Sequence, residues 1–336
     1  MKRVRTLAGA LASVPITLFG LVLITFVIGR VVPIDPVVAI VGDHAPPEVI
    51  ARVRAELGLD RPLPVQFLIY VKNLLHGDLG RSVMTSHRVT TDIAQYFPAT
   101  IELATAAIIL ALLVGIPAGV LAASRQGSRL DHIVRVLSIG GQSVPVFVLG
   151  MIFLLIFYVK LGIAPGTGQQ NVLYEGMVPH ITGMHVIDAA LTGQWDAFWD
   201  GLAHLALPAL VLAYFSLGYI TRMTRAYMID ALKGEYIITA RAKGLSGARI
   251  LWRHAFGNIS VGLITVIALA YANLLSGAVL TETVFSWPGL GLYLTVSLLN
   301  ADMNAVLGAT LVVGLVYIGL NLIADLAYRL FDPRVR

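Results

Sequence analysis

The chain is predicted to be an all-α polytopic membrane protein with six transmembrane helices, on three observations. Apolar residues make up 57% of it and charged residues only 13%, a balance foreign to a soluble domain of this length. Six uncharged stretches, each of the roughly 20 residues a spanning helix needs, recur at 6–29, 103–124, 136–159, 201–221, 255–281 and 303–324. Lys and Arg concentrate in alternate connections between them, as expected where basic residues stay on the cytoplasmic side.

The first stretch follows Lys2, Arg3 and Arg5. It is too long for a cleaved secretory signal and no small-residue cleavage site follows it, so an uncleaved first span is expected. The next connection, 31–98, balances basic and acidic residues and is placed outside, because long loops cross largely regardless of charge. Within it, Pro46 and Pro47 open a helix that runs through Val49, Val53 and Leu57 to a stop at Gly58. Residues 64–76 carry Phe67, Leu68, Val71, Leu74 and Leu75 at helical spacing, an apolar face for neighbouring helices or lipid.

In the second stretch, Gly115-Ile-Pro-Ala-Gly119 is a small-residue pair spaced for close helix approach. Pro117, and Pro145 in the third stretch, each remove a backbone bond and are expected to kink their helices. Arg125, Arg129 and Arg135 follow the second stretch, and seven basic residues from Arg222 to Arg253 follow the fourth. Arg329, Arg334 and Arg336 close the chain. These regions are predicted cytoplasmic, with both termini inside. The opposite side receives Lys160, Glu175, Asp188, Asp196 and Asp200 in one connection and Glu282 and Asp302 in another. Trp195 and Trp199 there fit either a partner-binding lobe or interfacial anchoring. A seventh uncharged stretch, 283–301, holds Pro288, Gly289 and Gly291, which points to a re-entrant turn and a short helix rather than a crossing.

Several functions are excluded. With no cysteine there are no thiolate metal sites and no cysteine nucleophile; His180 and His185 are off metal-ligand spacing, and no HExxH occurs. Neither a GxSxG elbow nor a GxxxxGK[ST] phosphate loop is present, so the chain is expected to be no enzyme, to hold no cofactor or metal, and to draw any ATP-derived energy from another subunit. The net charge of +5 is accounted for by topology and anionic lipid, with no nucleic acid required. An ion-coupled carrier, the alternative from another class, places Asp, Glu or His within its spans. Here only Glu102 and His204 come near, both read as interfacial or, alternatively, as part of a pathway. A structural or assembly factor of the membrane is the third reading.

Between the fourth and fifth stretches lies a polar, basic interlude at 235–258. Tyr236 to Lys243 is a helix former, Gly244 breaks it, and Ser246 is placed to cap a second short helix through Ile250, Leu251 and His254. Arg241, Lys243, Arg249 and Arg253 keep the pair of helices in water. Tyr236, Ile237, Ala240, Ile250 and Leu251 are expected to offer a small apolar surface for insertion into a groove.

The run Glu235-Tyr-Ile-Ile-Thr-Ala-Arg-Ala-Lys-Gly244-Leu-Ser, with Arg253-His-Ala and Asn258, resembles the coupling motif of binding-protein-dependent ABC transporter permeases, most closely the dipeptide and oligopeptide branch and its dipeptide-type subunit. Supporting matches are Asp35-Pro36, Glu56-Leu-Gly-Leu-Asp60, His76-Gly-Asp-Leu-Gly80, Arg222-Met-Thr-Arg225 and Thr281-Glu-Thr-Val-Phe-Ser-Trp-Pro-Gly-Leu-Gly291. The resemblance departs at Gly257, where peptide permeases often carry Arg, and in having Glu-Tyr-Ile where the wider superfamily has Glu-Ala-Ala.

What the resemblance implies is a type I ABC importer permease fold in a bacterial inner membrane. Residues 1–30 form the first span and 31–98 a helical external region. Residues 99–329 form a core of five spans with an external loop at 162–204 and a coupling loop at 222–258, and 330–336 form a cytoplasmic tail. It implies a second, similar permease, two ATP-binding subunits, an external substrate-binding protein and a peptide substrate, with nickel, glutathione, sugar or opine-like solutes as alternatives. It further implies that Glu235, Tyr236, Ala240, Arg241, Ala242, Lys243, Gly244, Leu245, Ile250 and His254 meet the ATPase. Ser138, Ser143 and Asn273 are candidates for the pathway or for helix packing.

Overall fold

The computed structural model describes residues 2–31, 37, 42, 44–56 and 58–331, with side chains at all of these except 2–13, 31, 56, 141–143 and 324–331. Asp35, Pro36, Leu57 and the tail from 332, with Arg334 and Arg336, lie outside the described residues, as do the side chains of Lys2, Arg3, Arg5, Ser143 and Arg329. The elements are helical: α1 (Lys2–Val31), α2 (Pro47–Glu56), α3 (Leu63–Leu75), α4 (Val89–Ser124), α5 (Arg129–Ser143), α6 (Val146–Lys160), α7 (His185–Leu191), α8 (Trp195–Leu232), α9 (Glu235–Ala242), α10 (Gly247–Phe285), α11 (Leu290–Leu299) and α12 (Met303–Phe331).

Four described helices are long and apolar enough to cross a bilayer: α4, α8, α10 and α12 through Ile323. Shorter apolar helices cover the first and third predicted stretches, Val14–Arg30 and Val146–Lys160. The third stretch departs from expectation. Pro145 does not kink a continuous helix there; α5 ends at Ser143, Val144 turns extended (φ −106°, ψ 129°), and α6 starts after Pro145. The cause is local, since the ring of a proline bars the preceding residue from helical backbone and supplies no N–H. Helix α4, by contrast, runs unbroken through Pro117 for 36 residues. Helix α11 has 10 residues, a rise of roughly 15 Å, half the ~30 Å hydrocarbon core. The turn before it contains Ser286 in left-handed conformation (φ 49°), so the 283–301 stretch is a helix end, a turn and a short helix.

The chain divides into two compact units, 1–98 with 288–318, and 99–287 with 319–336. In the first, Phe67 of α3 sets its ring edge-on to Phe19 and Phe26 of α1, 6.0 and 5.2 Å between centroids, and Tyr70 shares a hydrogen bond with Thr25 at 3.2 Å. Helix α3 therefore spends its aromatic residues on a helix, while Leu68 and Leu75 stay exposed. Val89, Ile93, Leu290, Tyr293, Ala305 and Ala309 form this unit's core. Buried Asp302 accepts the Ser82 hydroxyl (2.6 Å) and the Val83 and Met84 amides (2.8 and 3.2 Å), which pins the 82–84 turn to the start of α12.

In the second unit, α4 and α5 both press on α8 at glycines. A Cβ on Gly119 would stand 2.7 Å from the Thr221 carbonyl oxygen and from Thr224 Cβ, and one on Gly218 would collide with the Ser138 carbonyl. The Gly115/Gly119 spacing is thus a packing surface, as expected of such pairs. The substitution Gly119→Val is expected to lower the unfolding free energy in detergent by about 1–3 kcal/mol. Gly277→Ala, where no heavy atom lies within 4 Å of the added carbon, should not lower the temperature of unfolding, since alanine is the better helix former.

Candidate functional site

The interlude folds as an elbow. Helix α8 ends at Leu232, Lys233 and Gly234 turn the chain, and α9 begins with Glu235 in its first turn, where an acid complements the helix dipole. At the far end of α9 the Leu245 amide donates to the Ala240 carbonyl (3.3 Å) and the Gly244 amide to the Arg241 carbonyl (2.9 Å). These two bonds, closed by a residue in left-handed backbone, are the Schellman termination. That residue is Gly244, at φ +73°, where any L side chain is strained. The Ser246 hydroxyl then caps α10 by accepting the Arg249 amide at 3.4 Å, and a π-helical turn at Ile250–Ala255 leads into the long helix.

The faces of this elbow are the reverse of part of the expectation. Ile237, Ala240 and Ile250 are at most 5% exposed and pack with Val120 and Ala123 of α4, Met228 and Ala231 of α8, and Ala255, Ile259 and Leu263 of α10. They offer no surface for entering a groove, because their apolar area is already covered by this chain; full burial of a residue such as Ile237 is worth about 1.5–3 kcal/mol. The exposed apolar groups are Tyr236 (39%), Ile238 (64%) and Trp252 (44%). Around them Glu235, Arg241, Ala242, Lys243, Gly244, Arg249 and Arg253 are exposed, with Leu245, Leu251 and His254 half-buried. Tyr236 is held in place, its hydroxyl accepting from Asn258 Nδ2 at 3.1 Å and its ring so close over Gly234 that a Cβ there would lie 2.5 Å from Cε1. Neither Ile238 nor Trp252 stood out in the sequence, since helical spacing shows that one face is apolar but not which neighbours cover it.

Beside the elbow lies an ion pair the sequence did not announce. Arg225, on the last turns of α8, donates from Nε and Nη2 to the two carboxylate oxygens of Asp131 on α5, at 2.6 and 2.9 Å. The same carboxylate accepts the Gly127 amide at 2.9 Å and is 1% exposed. The Arg225 hydrogen bonds, against the opposing effect of burial, hold the Asp131 carboxyl down to about 2. An acid alone among Arg125, Arg129 and Arg135 was the available signal.

At the other end of α4's apolar stretch, Glu102 is 5% exposed and accepts the Val186 amide (2.8 Å) and Gln169 Nε2 (3.0 Å), tying the 162–200 connection to that point of the helix. Within that connection burial pushes the Asp188 carboxyl up, but bonds from the Thr182 hydroxyl and the Ile181, Thr182 and Gly183 amides outweigh it and hold the group below its usual range. His204 shares a bond with the Asp200 carbonyl at 2.9 Å, one turn back on the same helix. Trp195 and Trp199 are exposed on either side of Phe198. Ser138 bonds back to the Val134 carbonyl and is buried, whereas Asn273 on α10 is exposed.

These features define a multi-pass helical membrane protein in whose second unit α4, α8 and α10 meet at a basic, glycine-hinged elbow. The chain belongs to the family of binding-protein-dependent transport system inner membrane components, which it matches over residues 115–336; residues 3–104 match the N-terminal part of the same kind of membrane component. Over 316 residues it is 44% identical to a probable D,D-dipeptide transport system permease, DdpB, of Escherichia coli K12, covering 94% of this chain and 93% of that protein. It is 42% identical over 321 residues to the di/tripeptide transport system permease DppB of Pseudomonas aeruginosa UCBPP-PA14, 95% of each. To the dipeptide permease DppB of Alkalihalophilus pseudofirmus it is 37% identical over 319 residues, again 95% of each. It is thus a transport permease of the inner membrane and not an enzyme.

Because the folded-state value for Asp131 is depressed, its pair stabilises the fold fully above the ordinary carboxylate range, near pH 4, and that contribution is lost as pH falls through about 2. Asp131→Asn is expected to lower the Tm at pH 7, and the gap from the parent chain should narrow as the pH is taken below 4, read by circular dichroism in detergent.

Proposed function

We propose that this chain is the membrane-spanning subunit of an ABC importer that passes dipeptides or short oligopeptides inward, delivered by an external substrate-binding protein and driven by ATP hydrolysis in partner subunits. In this reading the chain crosses the membrane six times, with both termini and the elbow in the cytoplasm, and pairs with a second, similar permease and two ATP-binding subunits. The observation that carries the reading is the elbow. A polar, basic pair of helices hinged at left-handed Gly244, with its inner face locked into the ends of α4 and α8, is built to receive motion from outside the chain and pass it to spanning helices. The peptide substrate is supported by relatives that match nearly the whole chain and are named for dipeptides and tripeptides.

The residues assigned to the ATPase divide by exposure. Glu235, Tyr236, Arg241, Ala242, Lys243 and Gly244 present the contact, joined by Ile238 and Trp252. Leu245 and His254 sit at its edge, and Ala240 and Ile250 support it from within. The substrate path runs along the boundary with the second permease, where exposed Asn273 is available to line it, whereas Ser138 is occupied in packing.

Purifying the tagged chain from its native membrane in mild detergent is expected to bring a second permease and P-loop ATPases in stoichiometric amounts, identified by mass spectrometry. A chain that purifies reproducibly alone contradicts the proposal. Gly244→Pro and Arg241→Glu should leave the protein inserted while lowering peptide uptake and altering ATPase stimulation. Normal uptake in both variants removes the elbow from the mechanism.

A further inference from the structure

The Arg222-Met-Thr-Arg225 run is not absorbed by the elbow's surface, yet Arg225 makes a two-point ion pair with Asp131. We propose that Asp131 and Arg225 are positioning residues for coupling: their ion pair is a strut that makes the turn between α4 and α5 move with α8, so that displacement entering at the elbow is shared by three helices rather than absorbed by bending at Lys233 and Gly234. The inference rests on the functional reading above, in which α9 takes up motion from an ATPase.

Geometry argues for a strut rather than a simple contact. The planar guanidinium meets both carboxylate oxygens, at 2.6 and 2.9 Å, and a two-point fork fixes orientation as well as distance. The Gly127 amide, 2.9 Å from the same carboxylate, extends the constraint into the backbone of the turn, and the Ser128 hydroxyl holds the Asp131 amide at 3.3 Å. The turn is therefore clamped from both sides of one residue. Apolar contacts such as those of Met228 and Ile237 with α4 keep much of their energy when surfaces slide, but a bidentate pair on a buried carboxylate does not.

Energetics argues the same way. Burying the Asp131 carboxylate, 1% exposed beside an Arg225 side chain that is 20% exposed, costs desolvation that an apolar residue of similar volume avoids, so stability alone is poor reason for placing the charge there. What the charges add is a fixed geometry. Placement completes the case: Arg225 lies ten residues before Glu235 on a helix unbroken to Leu232, and α4 touches α8 at the adjacent residue, where Gly119 meets Thr224. The α4 end, the α4–α5 turn and the α8 end thus form a braced triangle at the root of the elbow.

The test uses the whole complex, purified through a tag on this chain and placed in liposomes, and reads ATP hydrolysed per dipeptide accumulated. In Asp131→Asn and in Arg225→Lys that ratio is expected to rise about tenfold, inside the 5–150-fold span of ordinary coupling energies, with subunit composition unchanged. The exchange Asp131→Arg with Arg225→Asp should recover part of the loss. Arg225→Lys keeps the charge but loses the fork, so it decides the matter should Asp131→Asn assemble poorly. A parental ratio in Arg225→Lys, whatever its Tm, overturns the strut alone. A parental complex that holds no ATPase and accumulates peptide without ATP overturns the functional reading and the strut with it.

Discussion

The burial of one face of α9 against the ends of α4 and α8 is the constraint on which the rest of the molecule's working end depends. Ile237 is fully buried, with Ala240 and Ile250 nearly so, and their neighbours come from three separate helices. This packing turns a polar loop into a rigid appendage of the bundle. It also explains why the chain must reverse at Gly244: with the inner face of α9 fixed, only a left-handed residue brings Leu245 back toward Ala240 and starts α10 on the same cluster. The exposed cations and the aromatic side chains of Tyr236 and Trp252 are then what is left on the outer side.

Acids divide the labour at the two ends of the second unit. Asp131 takes two guanidinium donors and an amide beside the elbow, whereas Glu102 and Asp188 take amides and neutral side chains at the opposite end. Each is buried, and each ties a connection to a helix rather than facing a stretch of apolar helix. That placement goes with the scarcity of titratable groups in the uncharged stretches.

Much of this was legible in the sequence. The uncharged stretches marked the long helices because nothing but apolar side chains suits a lipid-facing turn, and Gly244 was legible because a helix former followed by glycine and a capping serine has few other solutions. The Gly115/Gly119 pair announced a close approach, though not that α8 supplies it. What escaped has a common origin in distance along the chain. Asp131 and Arg225 are 94 residues apart, so neither predicts the other. Ile237 and Ile238 are equally apolar, and only the position of Met228 and Val120 decides which is covered. The break at Val144 escaped for a different reason: Pro145 sits in a stretch apolar on both sides, where a kink and a stop read alike.

The measurement that tests this account most directly is uptake of a labelled dipeptide by liposomes carrying the purified complex and its binding protein, with ATP supplied on the elbow side and ion gradients collapsed by ionophores. The account predicts uptake that requires ATP hydrolysis and is indifferent to the ionophores. Uptake that proceeds without ATP and disappears with the ion gradient would contradict it.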